Sequence, residues 1–170
     1  MKKTFLAALA ALLLAAGAAC AATMGAFTAQ DLSGNEHTQK LLENAQVTMF
    51  NVWGTFCPPC LREMPDLGRL AGEMKAEGAQ IVGLVCDWTD RRGNRSDAQI
   101  AKAANLVQKT GANYLHLLLN GEVQRYFGDI SAVPTTFFVT RSGEILGMVV
   151  GSQSYDAWKD LIRQALAKAK

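Results

Sequence analysis

The chain has 170 residues, of which 49% are hydrophobic and 19% are charged. This length and composition fit one globular domain with its own core and exclude a disordered or low-complexity protein. The formal net charge of +2 comes from Lys2 and Lys3, and residues 20–170 carry 15 basic and 15 acidic residues, so no basic excess favours nucleic-acid binding.

The first 19 residues have the pattern of a signal peptide. Lys2 and Lys3 precede an apolar stretch from Phe5 to Leu14, and small residues follow from Ala15 to Ala19. The uncharged run spans about 15 to 20 residues and no basic stop-transfer cluster follows it, so a signal peptide is favoured over an uncleaved anchor. We therefore expect an extracytoplasmic protein, in the periplasm or at the cell surface.

Cys20 directly follows this segment. Small residues before a cysteine resemble a bacterial lipoprotein processing site, in which Cys20 becomes the lipidated first residue. Gly17 departs from that pattern, because a larger aliphatic residue is usual there. Ordinary cleavage after Ala21 or Ala22 therefore stays open. One acyl-glyceryl anchor would hold the domain at the membrane surface without a spanning helix.

The rest of the chain alternates predicted strands and helices. Continuous apolar runs predict buried strands, and apolar residues spaced by three or four predict helices. In chain order we expect a hairpin over 25–38, a strand over 47–53, a helix ending at Glu77-Gly78, a strand over 80–86, a helix from Ser96-Asp97 to Gly111, a strand over 114–119, a short helix over 123–127, a hairpin of strands 135–140 and 145–150, and a helix over 155–169. This order predicts a mixed α/β sheet with helices on both faces, in one domain over residues 25–169.

Cys57 and Cys60 stand between a predicted strand and a predicted helix. The unpaired amides and the positive dipole end of a helix N-terminus stabilise a thiolate, which is the form that attacks a disulfide. Cys60, one turn later, can attack the resulting mixed disulfide and release the product. Pro58 and Pro59 suit the first helical turn, whose amides have no helical partner.

Two other interpretations of this pair are open: half of a zinc site, or an inert disulfide. Zinc needs two more ligands, and Cys86, His37 and His116 do not stand at paired ligand spacing. An inert disulfide across so short a loop would contribute little stability. The strand–CxxC–helix context favours a redox pair. For Cys86, a buried small hydrophobe is favoured over a third redox group.

The segment from Asn51 to Leu67, NVWGTFCPPCLREMPDL, resembles the active-site segment of the TlpA/ResA-type thioredoxin-like proteins. These are extracytoplasmic reductants with a thioredoxin fold. The resemblance covers most of residues 25–168, including the N-terminal hairpin, a strand-and-helix insertion around 88–120, and Val133-Pro134-Thr135. It implies that Cys57 is an exposed nucleophile and Cys60 a buried resolving cysteine.

The resemblance also assigns roles around the pair. Pro134 resembles the cis-proline that faces the CxxC and leaves a backbone edge free for substrate. A substrate would then lie against four residues beside the disulfide: Phe56, Pro58, Pro59 and Val133. Phe56 replaces the tryptophan of many relatives.

The same comparison of motifs singles out two polar positions. Asn51 stands where cytoplasmic thioredoxins carry a buried acid, and Glu63 matches an acidic residue that ResA-like members place near the pair. We hypothesise that Glu63 is partly buried, has a raised pKa and exchanges a proton with Cys60. A solvated helix residue is the alternative for Glu63.

Together these features predict a membrane-tethered, monomeric thiol–disulfide oxidoreductase. It would take electrons from an integral-membrane thiol donor and reduce protein disulfides, with the Cys57–Cys60 pair as its redox group and no separate cofactor or metal. The first alternative is a copper-binding or copper-delivery module that uses Cys57 and Cys60. The second is a peroxidase on the same fold, which the spacing of Thr55 and Cys57 disfavours.

Overall fold

The computed structural model describes residues 23–170, so the predicted signal peptide and Cys20 lie outside the described residues. In chain order the elements are β1 (Thr28–Gln30), β2 (Glu36–Thr38), a 3-10 helix (Gln39–Asn44), β3 (Val47–Trp53), α1 (Pro58–Lys75), β4 (Ala79–Val85), α2 (Asp97–Thr110), β5 (Leu115–Leu118), α3 (Gly121–Gln124), β6 (Thr135–Thr140), β7 (Ile145–Val150) and α4 (Tyr155–Lys168). Within this range, no helix combines the length and hydropathy that crossing a bilayer requires.

A five-stranded mixed sheet forms the centre, in the order β5-β4-β3-β6-β7. Strands β5, β4 and β3 are parallel, whereas β6 and β7 run antiparallel to their neighbours. Strands β1 and β2 form a separate antiparallel hairpin. The predicted mixed sheet and N-terminal hairpin are therefore confirmed.

Every residue of β3 is buried, because both faces of the sheet are covered. On one face, Val47 and Met49 pack against apolar residues of α1 and α4, and Trp53 packs with α1 and Ala103 of α2. On the other face, Phe50 and Val52 pack against the N-terminal segment, the 3-10 helix and the α3 region. Helices thus flank both faces, as predicted.

The short helix α3 differs from its prediction. We expected it over 123–127, but it spans Gly121–Gln124. Asn120 caps it, since its side chain accepts a hydrogen bond from the Val123 amide at 3.1 Å. The amides of Tyr126 and Phe127 then bond three residues back, so the chain continues in tighter turns.

A row of facing residues crosses the sheet beneath α1. Gly83 of β4 stands opposite Asn51 of β3 and His116 of β5, and Asn51 faces Thr136 of β6. The His116 ring lies over Gly83, where an added Cβ would come within 2.1 Å of His116 Nδ1. Only glycine fits at position 83 with this ring in place.

We expect Gly83→Ala to destabilise the protein by roughly 1 to 3 kcal/mol, because the new methyl group must displace a buried ring. Urea unfolding of the oxidised protein measures this change. Gly72→Ala in α1 is the control: an added Cβ there meets nothing within 4 Å, so it should stabilise the helix by about 0.5 to 1 kcal/mol. A Gly83→Ala protein as stable as wild type would contradict the packing described for this row.

Candidate active site

Cys57 is the N-cap residue of α1, and Pro58 and Pro59 are its first two helical residues. The Cys60 amide donates a hydrogen bond to Cys57 Sγ at 3.2 Å. The two sulfurs form a disulfide. The pair therefore lies at a helix N-terminus, as the sequence predicted, where amides and the helix dipole favour a thiolate once the disulfide is reduced.

Both cysteines are buried in this disulfide form: Cys57 is 4% and Cys60 is 1% exposed. An exposed Cys57, which the resemblance implied, is therefore not found in this state. The cause is local packing, since Trp53, Met64 and Val85 form one apolar cluster with the two cysteines.

The surface beside the disulfide is apolar. Phe56 is 64% exposed, Pro58 is exposed, and Pro59 and Val133 are half-buried. The Val133 carbonyl oxygen lies 3.5 Å from Cys57 Sγ, and the Val133–Pro134 peptide bond is cis. The structure thus brings Val133 and Pro134 next to Cys57, while Phe56, Pro58 and Pro59 adjoin the two cysteines in the chain.

Asp87 anchors the loop that leads into the pair. Its Oδ1 accepts a hydrogen bond from the Thr55 amide at 3.0 Å, and its Oδ2 accepts one from the Thr55 hydroxyl. Sequence reasoning missed this contact. Its only signal is that Asp87 comes just after β4, whose carboxyl end adjoins that of β3.

Glu63 is 4% exposed and lies at the centre of a buried network. Its Oε1 accepts a hydrogen bond from Asn51 Nδ2 at 3.1 Å. Its Oε2 accepts one from Trp158 Nε1 at 3.0 Å and one from the Gln153 amide at 3.2 Å. Burial raises the pKa of the Glu63 carboxyl, and the three hydrogen bonds oppose that rise only in part. The alternative of a solvated Glu63 is therefore wrong.

Two buried polar atoms next to this network have no protein partner among residues 23–170: Asn51 Oδ1 and the Tyr114 hydroxyl oxygen. Asn51 Nδ2 also donates to Thr136 Oγ1 at 3.0 Å, so the amide is held between two acceptors. Burial, together with the negative charge of Glu63, raises the pKa of Tyr114. Asn51 is thus a neutral donor, and the carboxylate of the network comes from Glu63 of α1.

Cys86 is half-buried and unpaired. Burial and the negative charge of Asp87 raise the pKa of its thiol to about 11, which keeps it protonated at neutral pH. It lines a cavity of about 440 Å³ together with Phe56 and Val133. A protonated, packed thiol agrees with the favoured interpretation of a small hydrophobe.

His116 has a structural position. Burial lowers the pKa of its ring to about 4, so the ring is neutral at pH 7. The ring accepts a hydrogen bond at Nδ1 from Trp53 Nε1 at 3.1 Å, and its Nε2 lies 3.0 Å from the Ala112 carbonyl. Across residues 23–170, no three His, Cys, Asp or Glu side chains are grouped so that they could hold a metal ion.

The model of the AhpC/TSA family matches residues 21–148. The thiol-disulfide oxidoreductase ResA of Halalkalibacterium halodurans is 30% identical over 148 residues, covering 81% of this chain and 73% of that protein.

Two solved structures share the fold. One is a thiol:disulfide interchange protein of the thioredoxin family from Chlorobium tepidum, with a TM-score of 0.70 at 22% identity, covering 85% of this chain and 95% of that chain. The other is an exposed lipoprotein thioredoxin from Streptococcus pneumoniae, with a TM-score of 0.65 at 16% identity, covering 82% of this chain and 99% of that chain. The expected thioredoxin fold is confirmed.

The raised pKa of Glu63 gives a pH dependence of stability with a defined sign. The folded protein binds this proton more tightly than the unfolded chain, whose carboxyl titrates near 4.5. Stability is therefore lost as pH rises from about 4.5 through the raised value, by at most about 1.4 kcal/mol per pH unit. We expect the unfolding free energy of the oxidised wild type to fall with pH relative to that of Glu63→Gln. A wild-type unfolding free energy that rises with pH relative to that of Glu63→Gln would contradict the described environment of Glu63.

Proposed function

Since this chain belongs to the AhpC/TSA family and is a thiol–disulfide oxidoreductase of the ResA type, we propose that it works as an extracytoplasmic disulfide reductase. The observation that carries the proposal is the Cys57–Cys60 disulfide at the N-terminus of α1, beside the apolar surface that includes Phe56 and Val133. Such a surface suits an extended protein segment that carries a disulfide.

The reaction begins from the reduced pair. The Cys57 thiolate attacks one sulfur of a client disulfide, so that a mixed disulfide forms and the other client sulfur leaves as a thiolate. Cys60 then loses its proton to Glu63 and attacks Cys57 Sγ. The second client sulfur leaves, and the Cys57–Cys60 disulfide is restored. The client gains two electrons from the pair, and its sulfurs take up two protons: the one that Glu63 received from Cys60 and one from water.

Glu63 suits the role of proton acceptor because it is buried three residues after Cys60 on the same helix. Burial raises its pKa, which brings the carboxyl closer to the pH at which the reaction runs. Asn51, in the position of the usual buried acid, has no ionisable group to compete for this proton. Glu63 is accordingly the proposed substitute for that acid.

The position of Thr23 indicates which end of the domain a lipid anchor on Cys20 would adjoin. Thr23 forms a bridge with Glu144, and the Met24 amide donates to the Gly143 carbonyl at 2.7 Å. This turn between β6 and β7 lies at the end of the sheet opposite the disulfide, since β6 is antiparallel to β3. Since three residues span at most about 10 Å, a lipidated Cys20 would lie within that distance of Thr23. The proposed anchor would thus leave the disulfide at the end of the domain that faces away from the membrane. A membrane thiol donor would then need a domain that extends from the membrane surface to the disulfide.

The reduction potential of the Cys57–Cys60 pair tests the proposed direction of electron flow. We expect a value near or below about −250 mV, which supports a reductant, from equilibration with glutathione or dithiothreitol buffers. A value near about −120 mV would indicate an oxidase and would contradict the proposal.

Replacement of the resolving cysteine tests the order of attack. Cys60→Ser should accumulate a mixed disulfide between Cys57 and a client, because nothing resolves it, whereas Cys57→Ser should accumulate much less. Non-reducing gels of extracytoplasmic fractions, with the trapped species identified by mass spectrometry, measure both. Equal trapping by both variants would contradict the assignment of Cys57 as nucleophile.

A further inference from the structure

The two oxygens of the Glu63 carboxylate have different environments. Oε2 accepts hydrogen bonds from both Trp158 Nε1 at 3.0 Å and the Gln153 amide at 3.2 Å. Oε1 accepts one hydrogen bond, from Asn51 Nδ2 at 3.1 Å. A carboxylate oxygen has two lone-pair positions. Both positions on Oε2 are therefore occupied by N–H donors, and one position on Oε1 remains for a proton.

We propose that Trp158 is the positioning residue of Glu63: with the Gln153 amide it holds Oε2, so that Oε1 is the oxygen that exchanges a proton with Cys60. The inference rests on the proposed function, in which Glu63 accepts the Cys60 proton. The inference goes beyond the proposed function because it assigns the exchanged proton to Oε1 and the positioning of Glu63 to a residue of α4.

Trp158 is well suited to this task because its side chain is fully buried in the core between the sheet, α1 and α4. A packed indole keeps its N–H direction, and the aligned donor restricts rotation of the carboxylate. The two groups are 95 residues apart in sequence. Trp158 therefore connects helix α4 to Glu63 on the helix that carries the redox pair.

The connection between β7 and α4 supplies the second donor and also contacts the proline loop. The Gly151 amide donates to the Pro134 carbonyl at 2.8 Å, two residues before Gln153. Gly151 has a φ of +93°, which favours glycine. The same short segment thus holds Pro134 on one side and Glu63 on the other.

The groups that face Glu63 are mostly neutral. Among ionisable groups, Tyr114 lies close enough for the Glu63 charge to raise its pKa, and Cys60 lies three residues before Glu63 on α1. Strand β3 presents Asn51, which also donates to Thr136 of β6, and α4 with its preceding segment presents Trp158 and the Gln153 amide. No Lys, Arg or His contact to Glu63 occurs among residues 23–170, so the N–H donors are what stabilises its ionised form.

The test removes the indole N–H with Trp158→Phe. Loss of this donor disfavours ionised Glu63, so less base is available to Cys60 at a given pH. The rate of Cys60 attack is measured by stopped flow after the reduced protein is mixed with the disulfide reagent dithiobis(nitrobenzoate). Cys57 releases the first thionitrobenzoate, and release of the second requires attack by Cys60. We expect the midpoint of the pH–rate profile to move up by about one pH unit, which is about tenfold in rate at a fixed pH below the midpoint.

Trp88→Phe is the matched control. It removes an indole N–H that donates to the Leu119 carbonyl at 2.8 Å, and that bond does not involve Glu63. Its profile should keep the wild-type midpoint, even if both variants lose stability. A Trp158→Phe profile with the wild-type midpoint would overturn the proposal, as would an equal shift in both variants.

A measurement on the wild type keeps the test decisive if Trp158→Phe does not fold. In oxidised protein, the ¹H–¹⁵N indole resonance of Trp158 should titrate with the same midpoint as the ¹³Cδ resonance of Glu63. An indole resonance that ignores the Glu63 titration would overturn the positioning role. Failure of the proposed function is distinct: wild type and Glu63→Gln would then share one pH–rate profile, whatever the Trp158 resonance does.

Discussion

A single buried carboxylate, that of Glu63, joins the elements that surround the redox pair. It belongs to α1, and its hydrogen-bond donors come from β3, from α4 and from the segment before α4. Three N–H groups compensate for part of the cost of burying a charge, and the remaining cost appears as a raised pKa. An α1 that moved away from the sheet would leave an unpaired buried carboxylate, so this contact constrains where Cys57 and Cys60 can lie.

The two ends of the central sheet carry different features. The carboxyl ends of β3 and β4 place Trp53, the disulfide loop and Asp87 together, as is usual for ligand sites in open α/β sheets. The opposite end carries the β6–β7 turn and Thr23. Among the aliphatic side chains between β4 and α1, Gly83 leaves room for the His116 ring, and Tyr114 stacks on that ring with centroids 4.4 Å apart.

Local signals in the sequence were enough to predict most elements. Strands β3, β6 and β7 have the predicted limits, because continuous apolar runs and the turn at Arg141–Glu144 mark them. Helix α2 is capped by Ser96 and ends at left-handed Gly111, as its flanking residues indicated. The prediction for α3 was shifted because it followed the apolar residues and overlooked the Asn120 cap. The placement of Cys57 at the N-cap needed only the strand–CxxC–helix order.

The contacts that tune the site were not predictable from one sequence. Nothing in the sequence around Trp158 indicates that its indole N–H meets Glu63. The Thr55–Asp87 contact and the fit of His116 over Gly83 likewise depend on pairing between distant strands. The burial of Glu63 was a hypothesis from resemblance, and the structure was needed to choose between it and a solvated residue.

The most direct test of the central claim, that Glu63 and Cys60 share a proton, is a titration of the reduced protein by ¹³C NMR. Labels at cysteine Cβ and glutamate Cδ report Cys60 and Glu63 separately. Coupled groups should titrate in two shared steps seen by both labels, and Glu63→Gln should reduce the Cys60 curve to one step with a different midpoint. A Cys60 curve that is the same in wild type and in Glu63→Gln would contradict the claim.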